Sequence, residues 1–136
     1  MSRHASPPPP EFLIDRSLGS VVLPAALAAR GFTVHTLRSV YGEARAQEIQ
    51  DEEWLAQAGR RGWIVLAKDE RIRRRPAELA AIQATGAKAF YLTAGGLRGD
   101  AQVEIFLMHI NRITQRAAGR GPMIWAVTRA GIRRVI

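Results

Sequence analysis

Short apolar runs alternate along the chain with longer segments in which apolar residues recur every three or four positions. The short runs are rich in β-branched and aromatic residues and predict strands, whereas the longer segments predict amphipathic helices. The predicted strands span residues 12–14, 32–37, 63–67, 89–93, 123–127 and 132–136, and the predicted helices span residues 20–30, 47–60, 76–85 and 101–117. Residues 38–45 give no clear signal. Strands that alternate with helices predict an α/β fold with a mostly parallel sheet covered on both faces.

The beginning of the chain differs from the rest because residues 1–10 end in four consecutive prolines. Such a segment cannot form a packed element, and we expect it to be a disordered or polyproline II lead-in. The remaining residues, 11–136, have the usual length of one domain. The chain is 47% hydrophobic, which is enough for a single core.

Composition excludes several classes of protein. No run approaches the ~18 apolar residues that a membrane span needs, and the first residues carry no signal-peptide pattern, so we expect a cytoplasmic protein. The absence of cysteine excludes disulfides, thiolate metal sites and thiol nucleophiles. Any catalysis must therefore use other groups.

The formal net charge is +8, and arginine supplies 18 of the 20 basic residues. A field of this sign attracts polyanions, and guanidinium groups match phosphate geometry and stack on bases. A GC-rich genome that favours arginine codons explains the same bias equally well. The charge therefore indicates nucleic acid as a partner but does not establish it.

Three aspartates are predicted to lie at the same end of the sheet. Asp15 follows the first predicted strand and Asp69 follows the strand at 63–67, and ligands of open α/β sheets bind at the carboxyl ends of strands. At 100° per residue, Asp51 shares a helix face with the apolar residues Trp54, Leu55 and Ala58. Only Asp51 of the adjacent acids is thus expected to point toward the sheet.

Each of these acids alone is better explained as a helix cap or a first-turn acid. Together they are harder to explain in that way, because clustered carboxylates repel each other unless a hard cation neutralises them. Oxygen ligands favour Mg²⁺ or Mn²⁺. Zinc is disfavoured because the three histidines, His4, His35 and His109, are scattered and are expected to be surface or core residues.

The chain resembles the PIN-like nucleases, which include the VapC-type toxins. The resemblance rests on FLIDRSLG, on QDEEWLAQAGRRGWIVLAKD and on the long C-terminal helix with its following strands, and it covers residues 11–136. It implies a three-layer α/β/α fold with a central, mostly parallel five-stranded sheet. It also implies an Mg²⁺ or Mn²⁺ site and hydrolysis of phosphodiester bonds in single-stranded or structured RNA.

Carried over by position, the resemblance implies that Asp15, Asp51 and Asp69 are the catalytic metal ligands, with Ser17 as possible support. The chain departs from the family's pattern at two positions, Ala67 and Arg71, where a small hydroxyl residue and an additional acid are frequent. The fourth ligand is therefore left open, and the candidates are Asp100 and Glu104, while Glu52 and Asp100 are further possible supports of the site. For Asp100 and Glu104, a helix N-cap and a solvated helix face are the alternative roles.

A basic segment next to Asp69 is a candidate RNA contact. It comprises Lys68, Arg71, Arg73, Arg74 and Arg75. A solvated loop is an equally good interpretation. Tyr41 and Trp54 could stack a base, but Trp54 is expected to pack in the core because of its place in the helix.

A VapC-type toxin would have an antitoxin protein as a partner and would often form a homodimer. The alternative in the same fold is a catalytically degenerate module that binds RNA or a protein. Two other classes fit less well: phosphoacceptor receiver domains carry an adjacent acid pair that Ile14-Asp15-Arg16 lacks, and haloacid-type phosphatases need Asp-x-Asp where this chain has Asp15-Arg16-Ser17.

Overall fold

A twisted sheet of six strands, in the order β2-β1-β3-β4-β5-β6, forms the centre of the computed structural model. The structure describes residues 9–68, 75–93 and 97–136. The first five strands of the chain are parallel, and β6 pairs antiparallel with β5. The strands are β1 (Glu11–Ile14), β2 (Thr33–Thr36), β3 (Ile64–Lys68), β4 (Lys88–Leu92), β5 (Met123–Thr128) and β6 (Gly131–Arg134). The helices are α1 (Val22–Ala29), α2 (Leu37–Tyr41), α3 (Glu43–Glu48), α4 (Asp51–Arg61), α5 (Pro76–Thr85) and α6 (Gly99–Ala117), and a 3₁₀ turn spans Arg16–Leu18.

Helices cover both faces of the sheet, as the alternation of elements predicts. On one face, Phe12 and Ile14 of β1 pack in a core cluster with residues of α1 and α6, such as Phe106. On the other face, Leu13 packs in a second cluster with residues of α4 and α5, such as Trp54. Because successive side chains of a strand point to opposite faces, β1 contributes to both cores. This three-layer α/β/α arrangement confirms the predicted fold class.

The sheet has one strand more than the five that the resemblance implied. Gly131–Arg134 forms β6, and Val127 pairs with Ile132 across a tight turn. An antiparallel neighbour needs only a short turn, so the edge pair follows directly from β5. This agrees with the strand pair that the sequence pattern predicts at 123–136.

The helix boundaries differ from the predicted ones at several places, beginning with α1, which spans Val22–Ala29 rather than residues 20–30. Residues 37–48, which include the segment without a clear signal, form the two short helices α2 and α3, and α4 begins at Asp51 rather than near residue 47 because Ile49 and Gln50 are extended. The N-cap of α6 is Arg98, so the expectation that Asp100 caps this helix is wrong. The Asp100 carboxylate instead accepts a hydrogen bond from the N–H of Ala101, at 3.0 Å.

Two predicted helix ends are confirmed at glycines with positive φ. Gly62 (φ 72°) ends α4 and Gly86 (φ 75°) ends α5, and both adopt the left-handed conformation that terminates helices. The lead-in predicted at residues 1–10 lies mostly outside the described residues. In the part of the chain that the structure describes, no helix combines the length and apolar character needed to cross a membrane.

Gly59 lets α4 and α5 approach closely. A Cβ added there would overlap the Thr85 hydroxyl and lie 2.6 Å from Thr85 Cβ, and the hydroxyl is held by a hydrogen bond to the Ala81 carbonyl at 2.7 Å. We expect Gly59→Ala to lower the free energy of unfolding by about 1–2 kcal/mol, because overpacking outweighs the ~1 kcal/mol that alanine gains in a helix. Urea denaturation would measure the change.

Gly99→Ala is the matched control, since a Cβ at this first residue of α6 meets nothing within 4 Å. This substitution should be neutral or slightly stabilising. Equal effects of the two substitutions would contradict the close approach of α4 and α5.

Candidate active site

The carboxyl ends of β1 and β3 lie side by side and position the first acid. The two strands are parallel neighbours with Ile14 opposite Leu66. Asp15 follows β1, and its N–H donates a hydrogen bond to the Leu66 carbonyl at 2.9 Å. The backbone of Asp15 is thereby fixed to β3. Asp69 comes one position after β3 in the sequence and lies outside the described residues.

The 3₁₀ turn after β1 positions the Asp15 side chain. The Ser17 hydroxyl donates to Asp15 Oδ2 at 2.6 Å and accepts from the N–H of Lys68 at 3.2 Å. Ser17 therefore connects Asp15 to the end of β3. Burial raises the pKa of Asp15 above its usual value, against the lowering effect of the Ser17 hydrogen bond, and the charge of Asp51 raises it further.

Asp51 stands in the first turn of α4, where the helix dipole favours an acid. Trp54 Nε1 donates to Asp51 Oδ1 at 3.0 Å, and the Trp54 ring is buried, as predicted. Two guanidinium groups flank the same carboxylate: Arg16 Nη2 lies 3.7 Å from Oδ1 and Arg75 Nη1 lies 3.5 Å from Oδ2. The structure thus brings Asp51 within electrostatic reach of Asp15.

Glu78 of α5 is a further acid at this site, which the sequence analysis missed. Glu78 is 6% exposed, and its Oε1 accepts a hydrogen bond from Arg75 Nη1 at 3.2 Å. Among the described residues, Oε2 has no hydrogen-bond donor. Burial and the neighbouring Asp51 carboxylate raise the pKa of Glu78 to about 7, although Arg75 opposes the shift. Glu78 shares a helix face with the buried Ile82 four positions later, and this signal could have found it.

The other acids considered as a fourth ligand or as support make their contacts elsewhere. Glu52 lines a cavity of about 400 Å³ together with Tyr41 and Arg60. Asp100 has an 83% exposed side chain at 4.0 Å from Arg98 Nε, and Glu104 pairs with Arg129 at 3.2 Å. Nothing in these contacts connects the three side chains to Asp15 or Asp51.

The basic segment is described only at its two ends. Lys68 is half-buried as the last residue of β3, and its backbone N–H contacts Ser17. Arg75 pairs with both Asp51 and Glu78, which differs from the expected role of a free phosphate contact. Arg71, Arg73 and Arg74 lie outside the described residues.

The donor atoms at this edge fit a hard divalent cation. Asp15, Asp51 and Glu78 offer only oxygen, and the orphaned Oε2 of Glu78 is a buried acceptor without a donor. Within residues 9–68, 75–93 and 97–136 no set of three or more His, Asp or Glu side chains is close enough to hold a metal ion, and the chain has no cysteine. Any complete ligand set would therefore need Asp69 or movement of Glu78.

Two histidines have structural roles, as expected. His35 stacks on Trp63 with ring centroids 4.0 Å apart and contacts Glu11 at 2.8 Å. His109 contacts the Thr128 carbonyl at 2.8 Å and is buried. His4 lies outside the described residues. The two described histidines thus lie apart from the acids.

These features define an α/β domain with an acidic site at the carboxyl ends of the parallel strands of a mostly parallel sheet. A family model described as a PIN-like domain matches residues 10–94, a range that includes Asp15, Asp51 and Asp69. The chain belongs to this family of PIN-like domains. The resemblance seen in the sequence is thereby confirmed.

One curated relative is similar over almost its whole length. It is the Mycobacterium tuberculosis protein named "Putative ribonuclease VapC45", which is 34% identical over 123 residues, or 90% of this chain and 89% of the relative. No solved structure gave a significant match to the chain.

Proposed function

We propose that this protein is a metal-dependent endoribonuclease that hydrolyses phosphodiester bonds in single-stranded or structured RNA. The observation that carries the proposal is the buried carboxylate of Asp15 at the carboxyl end of β1, within electrostatic influence of Asp51. Burial and mutual repulsion make the charge on Asp15 costly, and a bound divalent cation would remove that cost. The similarity to a protein named as a ribonuclease supports the same activity.

Asp15, Asp51 and Asp69 are the proposed ligands of Mg²⁺ or Mn²⁺, with Glu78 as the nearest further carboxylate. Such an ion would activate the attacking water and compensate charge on the phosphate. The protein's own contribution is orientation: Ser17 holds Asp15 through the 2.6 Å hydrogen bond, and the Trp54 indole holds Asp51. These two hydrogen bonds fix the orientation of the carboxylates before any ligand binds.

RNA is the proposed substrate because of the cationic surface. The formal net charge is +8, and 18 of the 20 basic residues are arginine. The arginine side chain binds phosphate in a bidentate manner and stacks on bases. Lys68 and the arginines at 71, 73 and 74 remain proposed phosphate contacts beside the cut. Arg75 belongs to this set only if substrate or metal displaces it from Asp51 and Glu78.

The proposal extends to the biological setting. By similarity to the VapC-named relative, the protein would be the toxin of a toxin–antitoxin pair in the cytoplasm, with an antitoxin protein as its partner and a homodimer as a further assembly. Co-purification would test for the antitoxin partner, and the mass of the protein in solution would test for the homodimer.

A second candidate is a degenerate PIN-like module that binds RNA or a protein without cutting. It is favoured by the guanidinium groups of Arg16 and Arg75, which both pair with Asp51. A module of this kind would bind RNA but would gain no thermal stability from Mn²⁺.

Incubation of a mixed single-stranded RNA pool with the purified protein, in Mn²⁺ or in EDTA, tests the proposal. Cutting should require Mn²⁺ and should be lost in Asp69→Asn, which keeps the shape of the side chain but removes its charge. Asp100→Asn is the matched control, because it makes the same change at an exposed site and should still cut. RNA binding without cutting, and without a rise in melting temperature in Mn²⁺, would establish the degenerate module instead.

A further inference from the structure

A cavity of about 250 Å³ opens beside the acids, between the carboxyl ends of β1 and β2. Three apolar side chains line its interior: Ile14 at the end of β1, Leu37 at the start of α2 and Ala46 of α3. All three are at most 9% exposed and belong to the core of the domain. The apolar lining is therefore part of the rigid framework of the sheet and its helices.

Arg16 connects this cavity to the acidic site. Its guanidinium group lines the cavity, and it is held by the Gln47 carbonyl at 3.3 Å and the Ile49 carbonyl at 2.9 Å. The same group lies 3.7 Å from Asp51. Arg16 thus lies both against the cavity and beside Asp51, one of the proposed metal ligands.

The rim of the cavity is cationic and has hydrogen-bonding groups. Arg38 contributes a second guanidinium, which pairs with Glu43 at 3.5 Å through two side chains that are both more than 60% exposed. Such a pair contributes little energy and leaves the guanidinium available to a ligand. Ser20 and Gln47 also line the cavity with polar side chains.

Size and chemistry together favour a flat aromatic ring. Small-molecule sites usually have volumes of roughly 300–1,000 Å³, so this cavity is too small for a whole nucleotide but suits one ring system. Proteins that recognise single-stranded RNA stack splayed bases on aromatic or guanidinium planes and read their edges by hydrogen bonds. Among the described residues, this cavity has no aromatic residue in its lining, but its arginines offer guanidinium planes and its polar residues, such as Ser20 and Gln47, offer hydrogen-bonding groups.

We propose that the cavity bounded by Ile14, Leu37, Ala46, Arg16 and Arg38 binds one base of the RNA substrate, next to the phosphate that is cut. This inference rests on the proposed RNA substrate and adds to it a base-binding subsite that sets sequence preference. Charge favours RNA over a protein side chain as the occupant, because two arginines line the cavity against the single carboxylate of Glu43, in a chain whose formal net charge is +8. Because the cavity lies beside the acids, the subsite should recognise the base of the nucleotide adjacent to the cut.

Binding of a short single-stranded RNA that contains the fluorescent base 2-aminopurine tests this inference in EDTA, without any need for cleavage. Ala46→Leu fills the cavity and should weaken binding at least about tenfold, which corresponds to 1.4 kcal/mol. Arg38→Gln should weaken binding less, and because its side chain is exposed it tests the cavity even if Ala46→Leu does not fold. Melting temperatures would identify a folding defect.

Arg120→Gln is the charge-matched control for Arg38→Gln. Arg120 is exposed between α6 and β5, at the opposite end of the sheet from the acids. Both substitutions remove one positive charge, so a general loss of electrostatic attraction would affect them equally. Equal binding by the wild type, Arg38→Gln and folded Ala46→Leu would overturn the inference and assign the cavity to another occupant, such as a protein side chain.

Sequencing of the ends produced by Mn²⁺-dependent cleavage separates this inference from the proposed activity. We expect the wild type and Arg120→Gln to share a base preference at one position beside the cut, and Arg38→Gln to lose it. RNA cutting with an unchanged preference in Arg38→Gln would contradict the subsite but support the nuclease. Binding that depends on Arg38, without cutting by the wild type, would support the subsite but contradict the nuclease.

Discussion

Asp15→Asn is expected to reduce metal-dependent RNA cleavage at least about a thousandfold, equivalent to about 4 kcal/mol in the barrier, and at the same time to raise the melting temperature of the metal-free protein. Activity falls because asparagine keeps the shape of the side chain but removes a ligand charge. Stability rises at neutral pH because burial and the charge of Asp51 raise the pKa of Asp15, so that its ionised form opposes folding. The amide oxygen can still accept the Ser17 hydrogen bond.

Single-turnover cleavage in Mn²⁺ and thermal melting in EDTA measure the two effects on the same samples. Asp100→Asn makes the same change at an exposed side chain and should alter neither quantity appreciably. A loss of stability in Asp15→Asn without metal would show that Asp15 is a structural residue. Wild-type cleavage rates in the variant would remove Asp15 from the site.

Glu78→Gln is expected to stabilise the metal-free protein increasingly as the pH rises from 4.5 to above 7. The pKa of Glu78 is raised from 4.5 to about 7, so the unfolded state ionises first and the wild type loses stability across this interval. Because each pKa unit corresponds to about 1.4 kcal/mol, the loss is on the order of 3 kcal/mol. Glutamine does not titrate and so avoids this loss, although it also weakens the contact with Arg75.

Urea denaturation in EDTA at pH 4.5, 6 and 7.5 would follow the difference between Glu78→Gln and the wild type. Asp15 shifts the stability in the same direction but is present in both proteins, so its effect cancels. Glu104→Gln, which breaks an exposed ion pair with Arg129, is the control and should change stability by less than about 1 kcal/mol at each pH. A difference that stays constant with pH would show that Glu78 ionises normally in the folded state.

The acids of the site are paired with arginines that the sequence analysis did not connect to them. Arg75 lies between Asp51 and Glu78, and Arg16 lies on the other side of Asp51. A divalent cation would have to compete with these guanidinium groups or share the carboxylates with them. The same arginines could then move to the RNA phosphates, which would couple metal binding to substrate binding.

Local patterns were sufficient to predict most of the elements. Helix α5 spans the predicted residues 76–85, because Pro76 begins that helix and Gly86 ends it. The short helices α2 and α3 could not be predicted in the same way. They are five and six residues long, so they contain too few turns to show a period and depend on Leu37 and Ala46 packing into the core.

The inward direction of Asp51 was predictable because it depends on helix geometry alone. Trp54, Leu55 and Ala58 form the buried face of α4, and Asp51 continues that face by one turn. Glu78 obeys the same geometry on α5. It was missed because no strand end or resemblance drew attention to it, and its meaning arises only from contact with Asp51.

The sequence by itself determined the order of the strands and of the longer helices along the chain, the family, and the placement of Asp15 at the end of a strand, because each of these is visible in short motifs or local patterns. Only the tertiary structure decided that Glu78 and Arg75 lie against Asp51, and that Arg16 is shared between the acids and the base-sized cavity. Those contacts join residues far apart in the chain: Arg75 and Asp51 are 24 positions apart, and Arg16 and Ile49 are 33 positions apart. The packing of α4 against α5 and of α3 beside β1 fixes them, and no local pattern encodes that packing.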